Sequence, residues 1–87
     1  MPKRKASRDI YVNGLDQSTS LSDLKELFAQ FGVVVSIRIP PDYTTQMGRG
    51  FGFVTMESDK KGQDAIDHLN NSEFRGKRIT VKWDLIH

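Results

Sequence analysis

The amino-acid sequence predicts an α+β fold: one four-stranded antiparallel sheet with two helices on one face, in the order β-α-β-β-α-β. Three observations lead there. Four short runs alternate apolar residues with polar or aromatic ones, which is the period of a strand. Two other segments carry apolar residues at helical spacing, each behind a serine suited to an N-cap. The chain has 87 residues, enough for one small domain and no further layer.

The elements follow in order. Residues 1–8 read as a flexible basic arm, with Lys3, Arg4, Lys5 and Arg8 and no apolar periodicity. Residues 9–87 form the single domain. Asp9 to Leu15 is the first strand: Ile10 and Val12 point one way, Tyr11 and Asn13 the other. Gly14 allows a turn. Ser20-Leu21-Ser22-Asp23 has the form of a capping box that starts a helix. Leu21, Leu24, Phe28 and Phe31 make its apolar face, with Leu27 on the flank, and Gly32 suits a left-handed residue that ends it.

Val33 to Ile39 is rich in β-branched residues and reads as the second strand, with Ile37 and Ile39 opposite Ser36 and Arg38. Pro40-Pro41-Asp42 ends it, and Tyr43 to Gly48 reads as a polar loop. Arg49 to Met56 is the third strand. The second helix runs from about Asp59 to Leu69 behind Ser58, with Ala65, Ile66 and Leu69 as its apolar face. Gly62 weakens that helix by roughly 1 kcal/mol relative to alanine. Arg78 to Trp83 is the fourth strand, with Ile79 and Val81 opposite Thr80 and Lys82. This order is the split βαβ, or ferredoxin-like, arrangement.

Composition narrows the function classes. There is no cysteine, so neither a disulfide framework nor a thiolate metal site is available. No apolar run approaches the roughly 18 residues of a membrane span, and no secretory signal is visible. The expectation is a soluble intracellular protein of the cytoplasm or nucleus, monomeric, without membrane or small-molecule partner. The net charge is +2, but four of the 13 basic residues lie in the first eight positions. The rest of the chain carries nine basic and 11 acidic residues. A polyanion would therefore be met by one face or by the arm.

The third strand carries the functional argument. Alternation puts Arg49, Phe51, Phe53 and Thr55 on one face and Gly50, Gly52, Val54 and Met56 on the other. Two helices can cover one side of the sheet, the side of Ile10, Val12, Ile37, Ile39, Val54, Met56, Ile79 and Val81. Aromatics at alternate positions of a strand are by themselves more often ordinary core. Here Tyr11, the facing glycines and the lack of covering structure place Tyr11, Phe51 and Phe53 on the open side. Three exposed aromatics mark an interaction site. Arg38, Arg49, Thr80 and Lys82 share that face, while acidic residues gather on the helices. Rings stack on bases and cations meet phosphates, a pairing that suits single-stranded nucleic acid. His68 and His87 lack partners at metal spacing, so no metal or cofactor is expected.

At these residues the chain resembles the RNA recognition motif family. Arg49-Gly50-Phe51-Gly52-Phe53-Val54-Thr55-Met56 looks like the family's octamer, with Met56 departing at the last position. Ile10-Tyr11-Val12-Asn13-Gly14-Leu15 looks like its hexamer. The resemblance spans about Asp9 to Trp83. It implies that Tyr11 and Phe53 stack on successive bases, that Phe51 packs against sugars, and that Arg49 binds a phosphate. It further implies that Asn13 and the end of the fourth strand (Lys82, Trp83, Asp84) touch base edges. Trp83 either extends that platform or closes the edge of the core. The chain is similar to the glycine-rich RNA-binding proteins but lacks their glycine-rich tail.

The expected partner is single-stranded RNA, with single-stranded DNA as an alternative ligand. A second reading is a protein-interaction module of the same fold. Members of that kind usually have eroded platform aromatics and Arg-x-Phe after the second helix. Here the aromatics are intact and the loop reads Asn71-Ser72-Glu73-Phe74-Arg75. An enzyme is a third reading, without paired carboxylates, an activated nucleophile or a metal cluster to support it.

Overall fold

The computed structural model describes residues 8–42, 47–48 and 50–84. The expectations placed on Met1 to Ser7, on Tyr43 to Gln46, on Arg49 and on His87 fall outside the described residues. The elements are β1 (Asp9–Asn13), α1 (Leu21–Ala29), β2 (Val34–Arg38), β3 (Pro41–Asp42), β4 (Met47–Gly48), β5 (Phe51–Met56), α2 (Asp59–Leu69), β6 (Glu73–Phe74), β7 (Lys77–Arg78) and β8 (Thr80–Trp83). Four of them form the main sheet in the order β2-β5-β1-β8, and every neighbouring pair is antiparallel. Its four strands and two helices give the expected β-α-β-β-α-β order.

Alternation decides the two faces. Ile10, Val12, Val54, Met56 and Val81 point to the helices and are buried. They meet Leu24 and Phe28 of α1, Ala65, Ile66 and Leu69 of α2, and Leu15 and Ile79 in one core cluster. Each large side chain of this kind contributes about 1.5–3 kcal/mol when fully buried. Gly52 lets the core side of β5 come close to its neighbours. A Cβ there would lie 2.9 Å from the Arg38 carbonyl and 3.4 Å from Leu24.

Both helix starts are as expected. Ser20 and Asp23 form a reciprocal capping box, and the Ser58 hydroxyl accepts from the Lys61 backbone N–H. The end of α1 differs. Gln30 is the C-cap in right-handed geometry, and Gly32 is not among the residues with positive φ. Gly32 instead makes room: a Cβ there would meet the Lys61 side chain at 3.0 Å. Leu21 is also exposed rather than part of the core. In β2 the pairing with β5 shifts between Val34 and Ser36, so Val35 bulges out and is exposed.

Two small hairpins were not anticipated. β3 pairs with β4 inside the segment read as a proline stop and a polar loop. β6 pairs with β7 through a two-residue turn at Arg75 and Gly76, both with positive φ. That double left-handed turn matches the twist of the flanking strands. β8 consequently begins at Thr80 rather than at Arg78. The backbone N–H of Asp84 donates to the Asp9 carbonyl at 2.9 Å, so the ladder between β8 and β1 runs one residue beyond the strands. Arg8, read as the end of the arm, is held on the domain. Its backbone N–H and its guanidinium both reach Asp59, and the guanidinium carbon lies 4.0 Å from the centre of the Trp83 ring.

Candidate nucleic-acid interface

The open face is ordered in rows, because residues paired across antiparallel strands share a face. Arg38 of β2 pairs with Phe53 of β5, Phe53 with Tyr11 of β1, and Tyr11 with Lys82 of β8. One row therefore reads cation, ring, ring, cation. The next row holds Phe51, Asn13 and Thr80. The row on the other side holds Ser36, Thr55 and Asp9.

The three rings form one cluster. Tyr11 lies 5.9 Å from Phe51 and 5.8 Å from Phe53, and Phe51 meets Phe53 edge-on at 5.9 Å. All three are half-buried, because each lies against its neighbours while, among the described residues, no helix covers that side. Such tilted contacts fix the rings without using up their outward faces. The cations lie over the rings. The Arg38 guanidinium carbon is 4.8 Å from the Phe53 centroid, and the Lys82 Nζ is 5.7 Å from that of Tyr11. Asn13, Arg38, Thr80 and Lys82 are exposed. A surface of planar rings edged by cations can stack bases and hold phosphates at once.

Of the residues expected here, Tyr11, Asn13, Arg38, Phe51, Phe53, Thr80 and Lys82 stand together on this face. Asp84 follows Lys82 by alternation beside Asp9. Arg49 is outside the described residues. Trp83 does not join them. Strand alternation turns it with Ile79 and Val81 toward the helices, where its ring packs on α2 and its Nε1–H donates to Gln63 Oε1 at 2.9 Å. A Cβ on Gly62 would lie 2.7 Å from the Trp83 ring, so that glycine gives the indole its place. Of the two roles open to Trp83, closing the core edge is the one its position fits.

One residue of the face was overlooked by the sequence reading. Asp9 lies beside Arg38 and Thr55, and the signal for it was the same alternation that placed Tyr11 and Asn13. Its Oδ2 accepts from Arg38 Nη2 at 3.2 Å, and its Oδ1 accepts from Thr55 Oγ1 at 2.6 Å. Gly14 closes the lower edge of the face. It has φ +87°, and a Cβ would sit 2.6 Å from the Arg78 carbonyl. That explains why glycine stands at this place in the hexamer-like segment. Among the described residues no group of three or more His, Cys, Asp or Glu could hold a metal ion, and no helix is long and apolar enough to cross a membrane.

Comparison with known proteins adds the following. The pattern that defines the RNA recognition motif matches residues 10–80. Glycine-rich RNA-binding protein 10 of Brassica napus is 44% identical over 71 residues, which cover 82% of this chain and 42% of the relative. The chain thus spans less than half the length of that curated relative. The crystal structure of RNA binding protein PG1 superposes with a TM-score of 0.87 at 40% identity, over 93% of this chain and 98% of that one. A structure of an Sxl-lethal protein/RNA complex gives a TM-score of 0.86 at 26% identity, over 97% of this chain and 53% of that one.

Proposed function

The chain belongs to the RNA recognition motif family, and on that premise we propose that it binds single-stranded RNA on the open face of its sheet. The observation that carries this reading is the row Arg38, Phe53, Tyr11, Lys82, in which two adjacent rings are flanked by two cations. Tyr11 and Phe53 stack on successive bases, and Phe51 packs against the sugars between them. Arg38, Arg49 and Lys82 meet phosphates. Asn13, Thr80 and Asp84 reach base edges. The relatives named as RNA-binding proteins and the neighbour solved with RNA support the choice of ligand. Single-stranded DNA offers the same stacking faces and phosphates and is a weaker second ligand on this reading.

Residues 9–87 act as one binding unit, and the basic residues 1–8 add charge to it; Arg8 is anchored on Asp59 and Trp83. The unit works as a monomer inside the cell, in post-transcriptional handling of RNA. No catalytic step is assigned to it.

Fluorescence anisotropy with a labelled random single-stranded RNA pool tests the reading. The wild type should bind the pool and bind duplex RNA poorly. The double variant Phe51→Ala, Phe53→Ala should lose most of that affinity, since each stacked base is worth about 1–3 kcal/mol. Equal binding by both proteins, with a steep salt dependence, would move the site to Lys3, Arg4, Lys5 and Arg8.

A further inference from the structure

A carboxylate is out of place on a surface that holds a polyanion, because it repels every phosphate near it. Asp9 is such a group. Alternation sets it on the open face in the row next to Tyr11 and Phe53. It is 36% exposed as a side chain, and both of its oxygens are oriented by hydrogen bonds. The Thr55 hydroxyl, beside it in the same row, donates to Oδ1 at 2.6 Å, and the Arg38 guanidinium donates to Oδ2 at 3.2 Å.

Resting on the RNA-binding reading above, we infer that Asp9 is a specificity-determining residue whose carboxylate reads the Watson–Crick edge of a guanine seated on Phe53.

The Arg38 guanidinium shows what the site accepts. It is a planar group that lies over the Phe53 ring, 4.8 Å from its centre, and gives an N–H to Asp9. A base that stacks on Phe53 needs that same space. The Arg38 side chain is 63% exposed, so it can swing away to a phosphate. Asp9 then loses its donor and takes a new one from the edge of the incoming base.

Donor geometry selects the base. An ionised carboxylate only accepts, and its two oxygens favour two parallel donors. Guanine presents N1–H and the N2 amino group side by side, with its O6 next to them for a guanidinium. Adenine and cytosine each present one amino group beside a ring nitrogen that is itself an acceptor. Uracil presents one N–H between two carbonyl oxygens. In those three bases the second oxygen of Asp9 faces an acceptor and is repelled.

The experiment uses labelled uridine heptamers with one central residue changed to guanosine, inosine, adenosine or cytidine. The uridines let the single purine slide onto Phe53. Wild type should bind the guanosine oligomer about tenfold more tightly than the adenosine one, as one bidentate contact allows. Inosine lacks the N2 amino group, so its oligomer should fall well below that of guanosine. Asp9→Asn replaces one acceptor oxygen by a donor and should bring guanosine and adenosine oligomers to similar affinity. The inosine comparison uses wild-type protein throughout, so it stands whatever the variant does to folding. Equal wild-type binding of guanosine and inosine oligomers, or full guanosine preference in Asp9→Asn, overturns the role given to Asp9. Loss of sheet-face binding to every oligomer would instead remove the RNA-binding reading on which it rests.

Discussion

The two faces of the main sheet are made by the same four strands, yet they meet different surroundings. On the helix side Ile10, Val12, Val54 and Val81 are fully buried and touch apolar neighbours from both helices. On the other side Tyr11, Phe51 and Phe53 touch mainly one another and the cations beside them. One residue step along a strand therefore separates the packed core from the face proposed to bind RNA. The expectation is that substitutions on the two faces act on different measurements.

The largest effect tests the helix side. Phe28 is fully buried near the C-terminal end of α1, and Phe28→Ala should cost about 3–5 kcal/mol in chemical unfolding, enough to threaten a domain of this size. Phe53→Ala is next, and it should show the opposite signature. RNA affinity should fall by about 1–3 kcal/mol in anisotropy titrations, while the unfolding midpoint moves far less than in Phe28→Ala. If Phe53→Ala unfolded the domain as readily, the two faces would not be separable. Ser20→Ala comes third: loss of the N-cap should lower stability by about 1 kcal/mol and leave RNA binding unchanged.

The smallest effect depends on pH. Asp23 accepts from the Ser20 backbone N–H, and with Arg75 nearby this holds its carboxyl below the ordinary 3.8. A carboxyl with a lowered folded pKa adds stability above its unfolded value and loses it as pH falls through the folded one. The stability gap between wild type and Asp23→Asn should therefore close in that acid range, followed by circular dichroism. A gap independent of pH would contradict this account of the cap.

Much of this comparison is legible in the amino-acid sequence. The octamer alone separates Phe51 and Phe53 from Val54 and Met56, because strand period leaves no freedom once one face is buried. The capping serines were equally plain, since their signal is local. What stayed hidden depended on the partner rather than on the residue. Trp83 was open between two roles until its ring was seen against Gly62 of a helix 21 residues earlier in the chain. The turn at Arg75 and Gly76 carries no asparagine or aspartate to announce it. Gly32 reads like a helix terminator, yet what it meets is Lys61. Asp9 looked like the mere start of a strand, because its meaning comes from Arg38 and Thr55, 29 and 46 residues away.

The hydrogen bond from Asp84 to Asp9 has a wider consequence. It brings the first and last paired residues of the main sheet side by side at one corner, with Arg8 and Trp83 stacked next to them. A polypeptide that enters and leaves a globule at one point can carry it as a bead on a string. Chain arriving at Asp9 and chain leaving Asp84 therefore start from the same corner of the sheet. In tandem copies joined this way, the spacing between them would be set by the connecting chain alone.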